Sequence, residues 1–211
     1  MSSDSLLKDL EKVTSNPRVR NLVETRIREF KAMKSRGPEE IFKELVFCIL
    51  AANFNALRSM KIVEELGDKL LTLSRSELAG ELKRLGHRFP DTRADYIVRA
   101  RDELEEIMNA LRKLKDENEL RAWLAENVRG LGYKEASHFM RNIGYENVAI
   151  IDLHILRILQ RYGLVESIKT LTRKRYLEIE EILKAIASKA GISLAELDLY
   201  LWYMDSGKIL K

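Results

Sequence analysis

Val128-Arg129-Gly130-Leu131-Gly132-Tyr133-Lys134-Glu135-Ala136 is the stretch on which the fold turns. It joins a helix ending near 128 to one starting near 134. In the second helix Ala136, Phe139, Met140 and Ile143 fall at offsets 0, 3, 4 and 7, a single apolar stripe. Two glycines separated by one residue allow positive φ and close approach of another group to the backbone. Beside a helix N-terminus, their N–H groups can make an anion-binding nest. An ordinary tight turn between helices has the same composition, so the nest is one of two readings.

Outward from this hairpin the chain reads as all-α. Three prolines and ten glycines punctuate it, and between them apolar residues recur at helical spacing. Helices are expected near 4–14, 17–35, 38–52, 56–66, 74–85, 91–111, 116–128, 134–143, 153–162, 172–190 and 194–206. Pro17 and Pro38 suit the first turn of a helix. Asp91 and Asp116 can cap the helices that follow them, and Ser193-Leu194-Ala195-Glu196 is a capping box. The run 147–151 is apolar and can be extended, but it is too short to found a sheet.

Composition narrows the class. The chain has 211 residues and one cysteine, Cys48. An internal disulfide and a Cys-based zinc or iron–sulfur cluster are therefore excluded. No apolar run approaches the roughly 20 residues that span a bilayer. The N-terminus lacks the basic and apolar regions of a secretory signal, so a reducing cytosol is expected. Glutamine occurs once, at Gln160, among abundant Lys, Arg and Glu, a bias toward thermophiles. Net charge is +4, and residues 1–36 carry nine basic against five acidic side chains. The segment 101–127 is net acidic and 169–189 basic again. Such alternation fits either one basic face for a polyanion or a salt-bridged helical surface.

Two residues stand out chemically. Lys134 opens a helix, where the macrodipole disfavours an ammonium. A neutral amine there is a nucleophile for an electrophilic carbon and can form a Schiff base; a plain phosphate contact is the alternative. Eighteen residues on, Asp152 precedes a helical run containing Leu153, Leu156 and Leu159. Asp is among the best N-caps. A capping carboxylate is also fixed and anionic, so it can support a positively charged transition state or take a proton.

The hairpin resembles a helix-hairpin-helix, a motif that binds the DNA backbone, over about 117–143. Hairpin, lysine and downstream Asp together resemble the helix-hairpin-helix glycosylase superfamily, which excises damaged bases. The Gly or Pro usual just before the Asp is replaced here by Ala149-Ile150-Ile151. Within the superfamily the chain is similar, essentially throughout, to the short-chain second class of 8-oxoguanine DNA glycosylase/lyases. The matching pieces are Ile49-Leu50-Ala51-Ala52-Asn53, Arg88-Phe89, Arg93-Ala94-Asp95-Tyr96, the hairpin, the Asp152 segment and the end 199–208.

The resemblance implies an all-α fold of two helical lobes with a cleft between them. One lobe spans 38–148; the other combines 1–37 with 149–211. It implies Lys134 as nucleophile and Asp152 as catalytic carboxylate. For the flipped base it implies Phe89, Trp202, Asp198 and the terminal carboxylate of Lys211. Trp202 lies off the stripe of Leu197, Tyr200, Leu201 and Met204, on a face shared with Asp198 and Asp205. A stacking platform or packing against another lobe accounts for it equally well before the resemblance is considered. Gly130 and Gly132 would hold phosphate, and Asn53 and Arg93 would enter the vacated gap or approach the opposite strand. The expected partner is double-stranded DNA containing 8-oxoguanine, met by a cytoplasmic, nucleoid-associated monomer. No membrane, metal or cofactor is called for. The alternatives are a non-catalytic helix-hairpin-helix DNA-binding module and a related glycosylase for another damaged base. His87, His138 and His154 form no recognisable metal-ligand pattern.

Overall fold

Local chemistry starts most of the helices. Prolines stand first in α2 (Pro17–Met33), α3 (Pro38–Ala51) and α6 (Pro90–Asp102), where a missing N–H costs nothing. Side-chain caps open α4 (Ala56–Leu66, Asn55), α5 (Arg75–Arg84, Ser74), α8 (Glu117–Asn127, Asp116), α10 (Leu153–Arg161, Asp152), α11 (Arg173–Ala190, Thr172) and α12 (Leu194–Ser206, Ser193). Ser74 and Ser193 each belong to a reciprocal capping box. With α1 (Ser3–Thr14), α7 (Leu104–Lys113), α9 (Tyr133–Asn142) and a 3₁₀ helix at Gly67–Leu71, these complete the chain order. The structure is a computed structural model describing residues 3–168 and 170–209. Among the described residues there is no strand, and no helix is long and apolar enough to cross a membrane.

The chain divides into two compact units, Met33–Phe139 and Met1–Ala32 with Met140–Lys211. In the first, α3 is the central element. Its residues from Leu45 to Leu50 are buried without interruption, as expected of a helix covered on all sides, and it packs on α4, α6 and α7. The hairpin stripe joins this core through Ala136 and Phe139, both fully buried. In the second unit α10 packs on α12, and α1 packs on α11 and α12. Each large apolar side chain buried in these cores contributes roughly 1.5–3 kcal/mol.

Two expectations are corrected. The single helix expected at 91–111 is two, broken at Glu103 with φ −93° and ψ 8°. No proline or glycine marks the break. Beside it the Arg101 guanidinium donates to the carbonyls of Leu70 and Leu73, at 3.3 and 2.9 Å, a long-range tie at the end of α6. Asp91 does not cap; Phe89 takes the N-cap position of α6, with no side-chain cap bond. Leu153 is 73% exposed. The core face of α10 is instead Ile155, Ile158 and Leu159, because a strict three-residue spacing drifts around a helix of 3.6 residues per turn.

Candidate active site

In the hairpin the two glycines do different things. Gly130 has φ +94°, and a Cβ there would lie 2.5 Å from Cδ2 of Tyr96. It is required for both backbone and space. Gly132 does not adopt positive φ, which corrects the expectation for that residue. Its N–H donates to Glu135 Oε2 at 3.3 Å, and its carbonyl accepts the N–H of Ala136 at 2.9 Å, beginning α9. Glu135 thus reaches back to the helix start in the manner of a capping box. Its other oxygen lies 3.4 Å from Nζ of Lys134. Lys134 is the second residue of α9, and its side chain is 28% exposed. One carboxylate therefore faces both a hairpin N–H and the candidate nucleophile.

Tyr96 connects the hairpin to the rest of its unit. The guanidinium groups of Arg93 and Arg129 lie 5.6 and 5.9 Å from its ring centre, within cation–π range. Arg93, expected at the DNA surface, is only 7% exposed. It donates to the carbonyl of Ala52 at 2.6 Å, and its Nε has no partner. Burial pushes its pKa down, opposed by Tyr96 and Glu135. Its reach is to the backbone of the turn at 52–55. There Asn53 is exposed in the left-handed region at φ +57°, a conformation Asn tolerates better than most residues. Asn55 caps α4 by accepting the N–H of Arg58.

Phe89 is 37% exposed. Its N–H donates to Nδ1 of His87 at 3.1 Å, while Nε2 of the same ring lies 3.0 Å from the carbonyl of Leu50. Those partners assign a neutral imidazole with its proton on Nε2. Burial pushes the His87 pKa down in agreement. His87 also packs on Phe54, ring centres 4.3 Å apart. Arg88 and Arg93 stand 5.0 and 5.9 Å from the Phe89 ring centre.

In the other unit Asp152 caps α10. Its Oδ1 accepts from the N–H groups of His154 and Ile155 at 2.8 and 2.9 Å, so the carboxylate is held by backbone. His154 Nδ1 lies 2.7 Å from Asp205 Oδ2. Arg157 and Arg161 reach the same carboxylate at 2.7 and 3.2 Å. Burial would raise the Asp205 pKa, but the bonds from His154 and Arg157 outweigh it and hold it below the usual carboxylate range. The His154 ring packs on Trp202, centres 4.6 Å apart and planes at 51°. The start of α10 and the end of α12 are thereby joined beside Asp152, with Trp202 half-buried among them.

The family model for 8-oxoguanine DNA glycosylase (Ogg-HhH) matches residues 23–192 of this chain. The chain belongs to that family. A Korarchaeum cryptofilum protein named 8-oxoguanine DNA glycosylase/AP lyase is 52% identical, and the match covers all of both chains. A protein of the same name from Methanocaldococcus jannaschii is 49% identical over 98% of this chain and 99% of its own. The crystal structure of the M. jannaschii glycosylase/lyase with a 15mer DNA containing 8-oxoguanine superposes with a TM-score of 0.94. That match has 48% identity and covers 98% of this chain and 100% of that one. The Thermotoga maritima 8-oxoguanine DNA glycosylase gives 0.91 at 42% identity, covering 99% and 100%. The fold is thus the helix-hairpin-helix fold of this family.

Two residues expected at the base differ in circumstance. Asp198 is buried and paired with Arg141; Arg141 also donates to Asn142 and lies over the Phe30 ring at 4.9 Å. Lys211 lies outside the described residues. The structure adds residues that the sequence reading passed over. Glu135 was readable as a capping-box position three residues after Gly132. The contact of Asp205 with His154 spans 51 positions and has no local signal. Among the described residues no group of three or more His, Cys, Asp or Glu is placed to hold a metal ion.

Proposed function

We propose that this protein is a bifunctional DNA-repair enzyme that excises 8-oxoguanine from double-stranded DNA and nicks the abasic strand. It works in the cytoplasm, on the DNA of the nucleoid. The observation that carries this is Lys134 at the second position of a helix opened by a two-glycine hairpin. It stands in a chain alike, end to end, to proteins named 8-oxoguanine DNA glycosylase/AP lyase. Gly130 and Gly132 shape the hairpin that receives backbone phosphate. Phe89 and Trp202 each offer an aromatic surface to the extruded base. Extrusion costs a few kcal/mol in lost stacking, and stacking on aromatic side chains returns roughly 1–3 kcal/mol per base. Asn53 meets the DNA directly, whereas Arg93 acts through the carbonyl of Ala52. Asp198 supports the pocket through Arg141.

Once it has given up a proton, the Lys134 amine bonds to C1′ of the deoxyribose as the C1′–N9 bond breaks. The base departs with the electron pair and takes up a proton. Opening of the sugar ring at C1′–O4′ gives a Schiff base. Loss of a proton from C2′ then expels the 3′-phosphate, and water frees the lysine. The Asp152 carboxylate is fixed by two N–H groups. It supports the positive charge that develops on the sugar and assists removal of the lysine proton. The scheme calls for no metal or redox cofactor.

Borohydride trapping on an 8-oxoguanine duplex tests the proposal, with Lys134→Gln alongside the parent. A covalent adduct with the parent alone is the expected result. An adduct formed equally by Lys134→Gln would remove the lysine from its role. Binding without any adduct would point to a DNA-binding module or to another damaged base, and a panel of single-lesion duplexes separates those two.

A further inference from the structure

Residues 148–151 approach Asp152 as a buried segment outside any helix. A buried irregular segment must find partners for its backbone polar groups, and among the described residues no strand lies alongside to supply them. Two side chains of α11 do so. Tyr176 Oη donates to the carbonyl of Ala149 at 2.6 Å and accepts the N–H of Ile151 at 3.3 Å. Glu180, one turn further along, accepts the N–H of Ala149 at 2.8 Å. Tyr176 is 3% exposed and Glu180 fully buried. A buried carboxylate is expensive, and the chemistry proposed for Lys134 and Asp152 has no use for this one.

We infer that Tyr176 and Glu180 are positioning residues that hold the 149–151 backbone and thereby aim the Asp152 carboxylate. The hydroxyl of Tyr176 is spent in both directions, so its two bonds fix the spacing between Ala149 and Ile151. Ile151 is the residue before Asp152. Its N–H is tied to α11, while the Asp152 carboxylate is tied to the first turn of α10. The segment is therefore pinned on both sides of the Asp152 backbone. Ala149-Ile150-Ile151 has no proline to stiffen it, and side-chain bonds from α11 supply that stiffness. This inference rests on the proposed role of Asp152.

Single-turnover excision of 8-oxoguanine with enzyme in excess tests it, using Tyr176→Phe, Asp152→Asn and the double variant. Tyr176→Phe deletes one oxygen and keeps the ring. The excision rate should fall at least about tenfold, while the duplex dissociation constant, measured in a Lys134→Gln background, stays within about twofold. The double variant should be no slower than Asp152→Asn alone, since the hydroxyl acts through that carboxylate. Glu180→Gln retains an acceptor for the Ala149 N–H and should be at least about tenfold faster than Glu180→Leu. This pair also carries the test if Tyr176→Phe folds poorly. Tyr176→Phe at the parent rate beside a slow Asp152→Asn would overturn the positioning role and leave Asp152 in place, as would additive losses in the double variant. Asp152→Asn at the parent rate would overturn the role of Asp152 itself and this inference with it.

Discussion

Gly130→Ala should damage the protein far more than Gly132→Ala, although the two residues look equivalent in the hairpin. At Gly130 the new Cβ meets Cδ2 of Tyr96 at 2.5 Å, and the backbone keeps φ +94°. An L-residue held at positive φ costs roughly 1–2 kcal/mol, and forcing a methyl group into packed atoms costs typically about 1–3 kcal/mol. A combined loss of about 3 kcal/mol would lower the unfolding midpoint by roughly 6–12 °C for a chain of this length. At Gly132 the nearest atom is Glu135 Oε2 at 3.2 Å, the far end of a movable side chain, and φ is not positive. A loss below about 1 kcal/mol, or at most roughly 4 °C, is expected there. Thermal unfolding followed by circular dichroism measures both. A double-mutant cycle with Tyr96→Ala separates clash from strain: in that background Gly130→Ala should lose only the strain component. Equal losses at the two glycines, or a Gly130→Ala loss unchanged in the Tyr96→Ala background, would refute this account of the hairpin.

Glu135→Gln removes a negative charge beside Lys134 and the Gly132 N–H. DNA should bind about two- to threefold more tightly at low salt, with the gain shrinking as salt rises; fluorescence anisotropy over a salt series measures it, and weaker binding would contradict the electrostatic account. Asp152→Asn separates cap from chemistry, because Asn caps about as well as Asp. The unfolding midpoint should move by no more than roughly 4 °C, about 1 kcal/mol, while excision slows strongly; a large fall in midpoint would mean that the carboxylate matters to the fold itself. His87 is buried with its folded pKa depressed, so its contribution is complete above the unfolded value of about 6.5. That contribution is lost as pH falls from there through the folded value, since protonating Nδ1 breaks the bond from Phe89. Denaturant unfolding between pH 7 and 5 should show a steeper loss for the parent than for His87→Gln, and parallel slopes would discount the histidine.

Helix positions were legible wherever the cause is local. Pro17, Pro38, Asp116 and Ser193 act within one turn of their own position, and a sequence displays such signals directly. The hairpin stripe was legible for the same reason, since Ala136, Phe139, Met140 and Ile143 are all buried at the expected spacing. The break at Glu103 was not, because the tie from Arg101 to Leu70 and Leu73 joins residues about thirty positions apart. The passage from one compact unit to the other inside α9, between Phe139 and Met140, carries no proline, glycine or change in composition. A continuous helix conceals it.

At the candidate site the placement of Lys134 at a helix start and of Asp152 as an N-cap was legible. What surrounds them was not, because it depends on which polar atoms are buried together. Arg93 shows the difficulty: an arginine near an exposed loop reads as a surface contact, yet its guanidinium is turned inward to the Ala52 carbonyl. Glu180 shows the reverse. Tyr176, Ile179, Glu180 and Leu183 fall at offsets 0, 3, 4 and 7 along α11, and all four are buried. A glutamate inside an apolar stripe must either break the stripe or have a buried partner. Here its partners include the Ala149 N–H, three residues before Asp152, and Lys184 Nζ at 3.9 Å. A charged residue at a core register, some thirty positions from a candidate catalytic group, was thus a visible sign that the intervening chain returns to meet it. The sequence could name the odd residue, but only the packing identifies the backbone it serves.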